Sequence, residues 1–312
     1  MALTEKQLAA RQGSIGGSDV PAILNISPFK SAADIYIEKM NGVTRVENKA
    51  MEAGHMLEPA VIDWALTKIK KGREFSWTSA NVRRTQVLVA STGEVVPAHA
   101  NLDFMFMAAG DYIEGNQGQR QPETREGLEA KTTGISKSWG PEGTDQIPDH
   151  VLAQCLWQSA VAELDKVHIG VLIGDRGFHL KVYVIDPSEY KEELQEIIDR
   201  VAVFWNKNIL EGIAPDETLP KIETLKRMVR VPNKTTKLPE VSLKSWLAAR
   251  EELTLAKKKE SKLRGQILSD LGDAEEGTGA NGVLTYYESK RKEYVVPENA
   301  FRVLKWKSNK EG

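Results

Sequence analysis

Five consecutive residues, Gly127-Leu128-Glu129-Ala130-Lys131, constrain this chain more than any other stretch. On a β-strand Glu129 and Lys131 point to one face, and Leu128 and Ala130 to the other. An acid and a base side by side suit metal-assisted hydrolysis. The carboxylate holds a divalent ion, while the ammonium orients or helps deprotonate the attacking water and offsets phosphate charge. The same pair alone also describes an ordinary solvated strand face, so context has to decide. Asp103 supplies that context, 26 positions upstream in His99-Ala100-Asn101-Leu102-Asp103-Phe104. A turn between Gly110 and Gly127 returns the chain so that Asp103 and Glu129 fall on adjacent strands. Two converging carboxylates repel unless a cation joins them, and oxygen ligands with few histidines favour Mg²⁺, with Mn²⁺ as a substitute, over zinc.

Periodicity and punctuation place these residues in a mixed α/β order. Ser18-Asp19 ahead of Pro21 reads as a helix start. A second helix runs from Ser31, with Asp34 completing a box-like cap, to Met40. Residues 51–71 form a long helix with Met56, Leu57, Val61, Trp64 and Ala65 at helical spacing, ended by Gly72. Strands follow at 82–90, 98–107 and 126–133. A helix at 148–164 comes next, then strands 167–173 and 178–185 joined by Gly174-Asp175-Arg176-Gly177, a hairpin turn. A helix over 188–211 closes this region. Four prolines between 213 and 240 mark a linker with short structure, followed by a charged helix at 241–271 and a β segment at 282–307. The expected domains are 1–214, a linker at 215–240, and a C-terminal extension at 241–312.

Composition excludes several classes. A lone cysteine, Cys155, rules out an internal disulfide framework, a four-cysteine zinc site and an iron–sulfur cluster. No apolar run is long enough for a membrane span, and the first residues lack the apolar stretch of a signal peptide, so a cytoplasmic location is expected. The net charge of −2 hides a division. Residues 1–214 carry 22 Lys+Arg against 29 Asp+Glu, a balance of −7, and the remainder carries +5. An acidic body does not exclude DNA, because carboxylates hold cations and basic residues can gather in one groove.

Taken in order, the carboxylates and lysine follow the pattern of the PD-(D/E)XK nuclease fold, a central mixed β-sheet flanked by helices. Within that group residues 8–214 resemble the YqaJ-type phage recombination exonucleases, relatives of lambda exonuclease. The resemblance rests on Arg11 to Asp19, Leu24 to Lys30, Gly54 to Pro59, Asn101 to Asp103, Gly127 to Lys131, and Ala153-Gln154. It implies that Asp103, Glu129 and the backbone carbonyl of Ala130 hold a metal ion, and that Glu58 binds a second ion or its water. Helix periodicity by itself describes Glu58 as an exposed acid. Lys131 is implied to position or activate the water, and Gln154 to orient that water or Lys131. Arg11 and Ser18 are implied to contact DNA phosphate at the 5′ end. Without the resemblance they read as a surface charge and a helix N-cap. Asn101 and Lys137 are further candidates for phosphate contact.

The chain departs from the family in two places. Phe104 stands where glycine often follows the aspartate. The late helix reads Gln154-Cys155-Leu156 where relatives have Gln-x-Gln, with Gln158 four residues on and on the same helix face as Gln154. The resemblance implies digestion of one strand from duplex DNA ends, 5′ to 3′. It also implies a single-strand annealing partner and a homotrimer. An endonuclease on the same fold and a non-catalytic DNA-end binder stay open at this point.

Overall fold

A computed structural model describes residues 12–42, 49–109, 123–175, 177–215, 219–228 and 234–288. Its organising element is β3, Val95–Ala108. β2, Phe75–Val89, pairs antiparallel with one edge of β3 along nearly its whole length. The other edge is shared. β1, Ile15–Gly16, runs parallel to it at Ala98 and His99, and β4, Thr124–Thr133, pairs antiparallel at Phe104–Ala108. β4 continues parallel to β5, Lys166–Ile173, which turns back antiparallel into β6, His179–Ile185. The result is a six-stranded mixed sheet in the order β1-β3-β4-β5-β6, with β2 on the far side of β3. The central mixed sheet with flanking helices is the architecture the sequence led us to expect.

Two cores sandwich this sheet. On one face lie α1 (Val20–Ile23), α2 (Ala32–Asn41), α4 (Asp149–Ala162) and α5 (Lys191–Val203). Leu156, Trp157 and Val161 of α4 are buried there with Leu102, Ile169 and Tyr183 of the sheet. On the other face α3, Lys49–Ile69, packs Ala65 and Ile69 against Phe106, Leu128 and Val182. Gly170 permits that approach, since a Cβ there would sit 2.8 Å from the Ala65 methyl. The alternation in β4 is thus resolved: Leu128 faces α3, and Glu129 faces α4.

Several boundaries move. β2 begins at Phe75 rather than 82, because Ser76, Thr78, Ser79 and Asn81 give it no apolar alternation; pairing with β3 holds it instead. Met56 and Leu57, expected on the buried stripe of α3, are exposed, and only Val61, Ala65 and Ile69 of that helix are buried. The helix expected over 188–211 is a 3₁₀ turn, α5 and a π-helical stretch at Phe204–Leu210. The capping box of α2 forms as read, with Ser31 and Asp34 exchanging side-chain and backbone hydrogen bonds.

By its contacts the chain divides into two units, Met1–Arg230 and Val231–Gly312. Within the first, a short helix α6 (Ile222–Arg227) follows Lys221, whose N–H donates to Asp34 Oδ1 at 2.7 Å. The second unit holds α7, Glu240–Leu271, with no buried residue. A hairpin of β7 (Glu276–Gly279) and β8 (Gly282–Thr285) completes its described part. The β segment read at 282–307 is seen only as β8; residues from 289 onward lie outside the described residues. Among the described residues no helix is long and apolar enough to cross a membrane.

Candidate active site

The ladder between β3 and β4 runs from Ala108↔Thr124 to Phe104↔Leu128 and stops there. Asp103 and Glu129 are the next residue on each strand. Beyond this point β4 stays with β5 alone, while the free edge of β3 is taken up again by β1 only at His99. The two carboxylates therefore stand at the mouth of a fork in the sheet. A side-chain hydrogen bond replaces the missing rung, with the Ala130 N–H donating to Asp103 Oδ2 at 2.8 Å.

Glu129 is 6% exposed and both of its oxygens are held. Oε1 accepts from Lys131 Nζ at 2.6 Å and from Gln154 Nε2 at 2.6 Å. Oε2 accepts from Gln158 Nε2 at 2.8 Å. Lys131 also donates to Gln154 Oε1 at 3.1 Å, which closes a ring of lysine, carboxylate and amide. Burial would lower the Lys131 ammonium, but the Glu129 charge and hydrogen bond outweigh it and leave its pKa raised. Lys131 thus rests as a cation. Asp103 is pushed up to about 8, first by burial and then by the negative charges of Glu129 and Glu58; the Ala130 N–H and Lys131 oppose this.

The structure brings Asp103, Glu129, Lys131 and Gln154 together, with Glu58 of α3 half-buried and close enough for Asp103 to feel its charge. The other candidates fare differently. Arg11 lies outside the described residues. Ser18 is exposed and is not the N-cap of α1; that position is Asp19, whose carboxylate instead accepts from the Gly16 N–H and from buried Lys39. The Asn101 side chain is exposed, and its backbone carbonyl accepts from Gln158 Nε2 at 3.0 Å. Lys137 is exposed on the loop after β4. Trp139 in that loop packs against Tyr183, with ring centroids 5.3 Å apart. Burial, with Glu129 beside it, pushes the Cys155 thiol far up, so it is an inert core group.

Two neighbours were missed. His150 lies one turn before Gln154 on the same face of α4; burial, then the Lys131 charge, lowers its pKa. The exposed ring of Phe29 meets His150 edge-on at 5.9 Å. The spacing 150, 154, 158 is the signal that would have found His150, because residues four apart share a helix face.

No group of three or more His, Cys, Asp or Glu side chains among the described residues is arranged to hold a metal ion. Glu58 therefore reaches Asp103 as a charge and not as a member of a closed cage. The donor chemistry nonetheless fits a hard cation. Burial and then the charges of Glu129 and Glu58 drive the Asp103 carboxyl toward its protonated form, and Glu129 Oε2, which accepts one hydrogen bond from Gln158, keeps a second lone pair for an ion.

The chain is similar to several known proteins. Uncharacterized protein YqaJ of Bacillus subtilis (strain 168) is 26% identical over 288 residues, covering 88% of this chain and 80% of that protein. Among solved structures, an alkaline exonuclease from Laribacter hongkongensis (LHK-Exo) is 16% identical with a TM-score of 0.38, covering 67% of this chain and 96% of its own. A putative exonuclease from Eubacterium rectale is 12% identical with a TM-score of 0.42, covering 77% and 96%. The model of the YqaJ-like viral recombinase domain matches residues 6–165, the stretch that carries β1, the fork and the glutamines of α4, and the chain belongs to that family.

Proposed function

We propose that this chain is a Mg²⁺-dependent nuclease that hydrolyses phosphodiesters from the ends of duplex DNA. The observation that carries the reading is the ring of Lys131, Glu129 and Gln154 beside Asp103 in the fork. A lysine tied to one carboxylate and facing a second suits a site that must gather anionic phosphate. Membership of a recombinase family supports DNA as the substrate class.

Asp103, Glu129 and the Ala130 carbonyl would hold the ion, with Glu58 serving a second ion or its water. Bound there, Mg²⁺ supplies Lewis-acid polarisation of the phosphodiester and offsets its charge. Lys131 uses two of its three donors on Glu129 and Gln154, which leaves one for a water or a phosphate oxygen. Gln154 fixes the lysine and the carboxylate at once, so the ammonium cannot swing away when substrate arrives. The 5′-to-3′ polarity, a 3′ overhang for an annealing protein, the trimer, and end-phosphate contacts by Arg11, Ser18, Asn101 and Lys137 extend this reading from the family.

Lys131→Ala tests it. The expected result is loss of Mg²⁺-dependent degradation of linear duplex by about a hundredfold or more, with DNA binding kept. Retained degradation would sink the mechanism. Cutting of closed-circular duplex by the wild type would replace the exonuclease reading with an endonuclease one.

A further inference from the structure

We infer that Gln158 is a positioning residue of this centre, setting Glu129 at a fixed distance from β3 across the fork. The inference rests on the nuclease reading above and extends it to a residue that the Gln-x-Gln pattern does not include.

Gln158 is 2% exposed, on the inner face of α4 one turn beyond Gln154. Its amide nitrogen spends both hydrogens across the gap between strands. One goes to the Asn101 carbonyl of β3 at 3.0 Å, the other to Glu129 Oε2 of β4 at 2.8 Å. Both targets are pure acceptors, so reversing the amide would set Oε1 against a carboxylate and a carbonyl. The orientation is therefore fixed by chemistry. Oε1 is left buried with no hydrogen-bond partner. A side chain kept only for packing would avoid that cost, and a methionine of similar reach carries no such oxygen. What justifies the amide is the work of its nitrogen.

The position of the bridge gives it meaning. Asn101 lies two residues before Asp103, in the part of β3 that has left β4 and not yet met β1. The last rung, Phe104↔Leu128, and the Ala130 N–H on Asp103 hold the strands on one side of the two carboxylates, and at Asn101 no rung follows. Gln158 spans that gap directly. Lys131 and Gln154 both bind Oε1 of Glu129, whereas Gln158 alone holds Oε2, so it fixes the rotation of the carboxylate about its own axis. The chain also backs the glutamine from behind. A Cβ on Gly17, just after β1, would lie 3.2 Å from Gln158 Cγ and 3.3 Å from Gln154 Cγ, so glycine lets the chain press this closely on both stems without either having to shift.

The test is a calorimetric titration of Mn²⁺ alone into the full chain, read beside the melting temperature. Two variants are compared with wild type. Gln158→Met removes the amide at similar length, and Gln158→Asn keeps an amide but withdraws it by one methylene. Groups that orient a ligand carboxylate commonly change metal affinity by about ten- to a hundredfold. Each folded variant should therefore bind Mn²⁺ about tenfold more weakly, with its melting temperature close to wild type. Either folded variant binding Mn²⁺ as tightly as wild type overturns the inference. Wild-type protein that takes up no Mn²⁺ removes the metal-dependent reading itself, and this inference with it.

Discussion

Asp103 carries the clearest consequence of crowding at the level of single residues. Its carboxyl is pushed up to about 8 from the ordinary aspartate value of 3.8, by burial and by two neighbouring carboxylates. Between those pH values the folded chain keeps a proton that the unfolded chain releases, so stability falls as pH rises through this window. Metal-free protein should therefore melt several degrees lower at pH 8.5 than at pH 5.5. Asp103→Asn should flatten that slope, and Mg²⁺ should restore the loss most strongly at the high end. Scanning calorimetry across pH checks all three, and a slope unchanged in the Asn variant would refute the assignment. Some of this residue-scale picture was legible before the structure. Glu129, Lys131 and Asp103 announce themselves through strand alternation and order. The contact of Gln158 with Glu129 does not, because its meaning depends on a gap between strands that no local spacing encodes. Ser18 failed as an N-cap because Asp19 takes the capping position while its side chain turns to Gly16 and Lys39.

Among elements, β4 is anchored at its other end by an ion network on the face that looks toward α3. Glu126 is fully buried. It accepts a bidentate pair from Arg73 at 3.0 and 2.5 Å, His168 Nε2 at 2.5 Å and the Thr124 hydroxyl at 2.6 Å. Burial would raise its carboxyl, but His168, Arg73 and Thr124 together hold it far below the usual carboxylate range. That contribution is present above the ordinary glutamate pKa and is lost as pH falls toward the depressed value. Removing one partner of such a buried set leaves the others stranded, at a cost of about 3–5 kcal/mol. Glu126→Ala should lower the urea midpoint accordingly, and a change below about 1 kcal/mol would show that the network carries little. Sequence periodicity identified most of the elements that frame this network. It missed the first half of β2, since Ser76 to Asn81 offer no buried face, and misjudged the first half of α3, where Met56 and Leu57 face outward.

At the scale of the whole molecule, every residue of the fork and both cores lie in the first unit, Met1–Arg230. α7 has no buried residue. A fragment ending at Arg230 should therefore unfold cooperatively and keep Mg²⁺-dependent cleavage of short linear duplexes within about threefold of the full chain. Fluorescence-detected melting and a gel assay decide this. A fragment that folds but does not cleave would place part of the chemistry beyond residue 230. The short helix at 222–227 could not be read from its proline-bounded surroundings, because its place is set by Asp34 accepting the Lys221 N–H nearly two hundred residues away.

The end of the β3–β4 ladder has a consequence for how this chain can change in length. Ala130 bonds to Asp103 through its main-chain N–H, so the meeting of the two carboxylates is counted in residues along β4. One residue inserted between Leu128 and Glu129 would turn Glu129 and Lys131 onto the face that Leu128 fills. Two would restore the face but carry both groups about 6.6 Å along the strand, too far for the glutamines of α4 to follow. Insertions at this junction should therefore abolish activity even where the fold survives them.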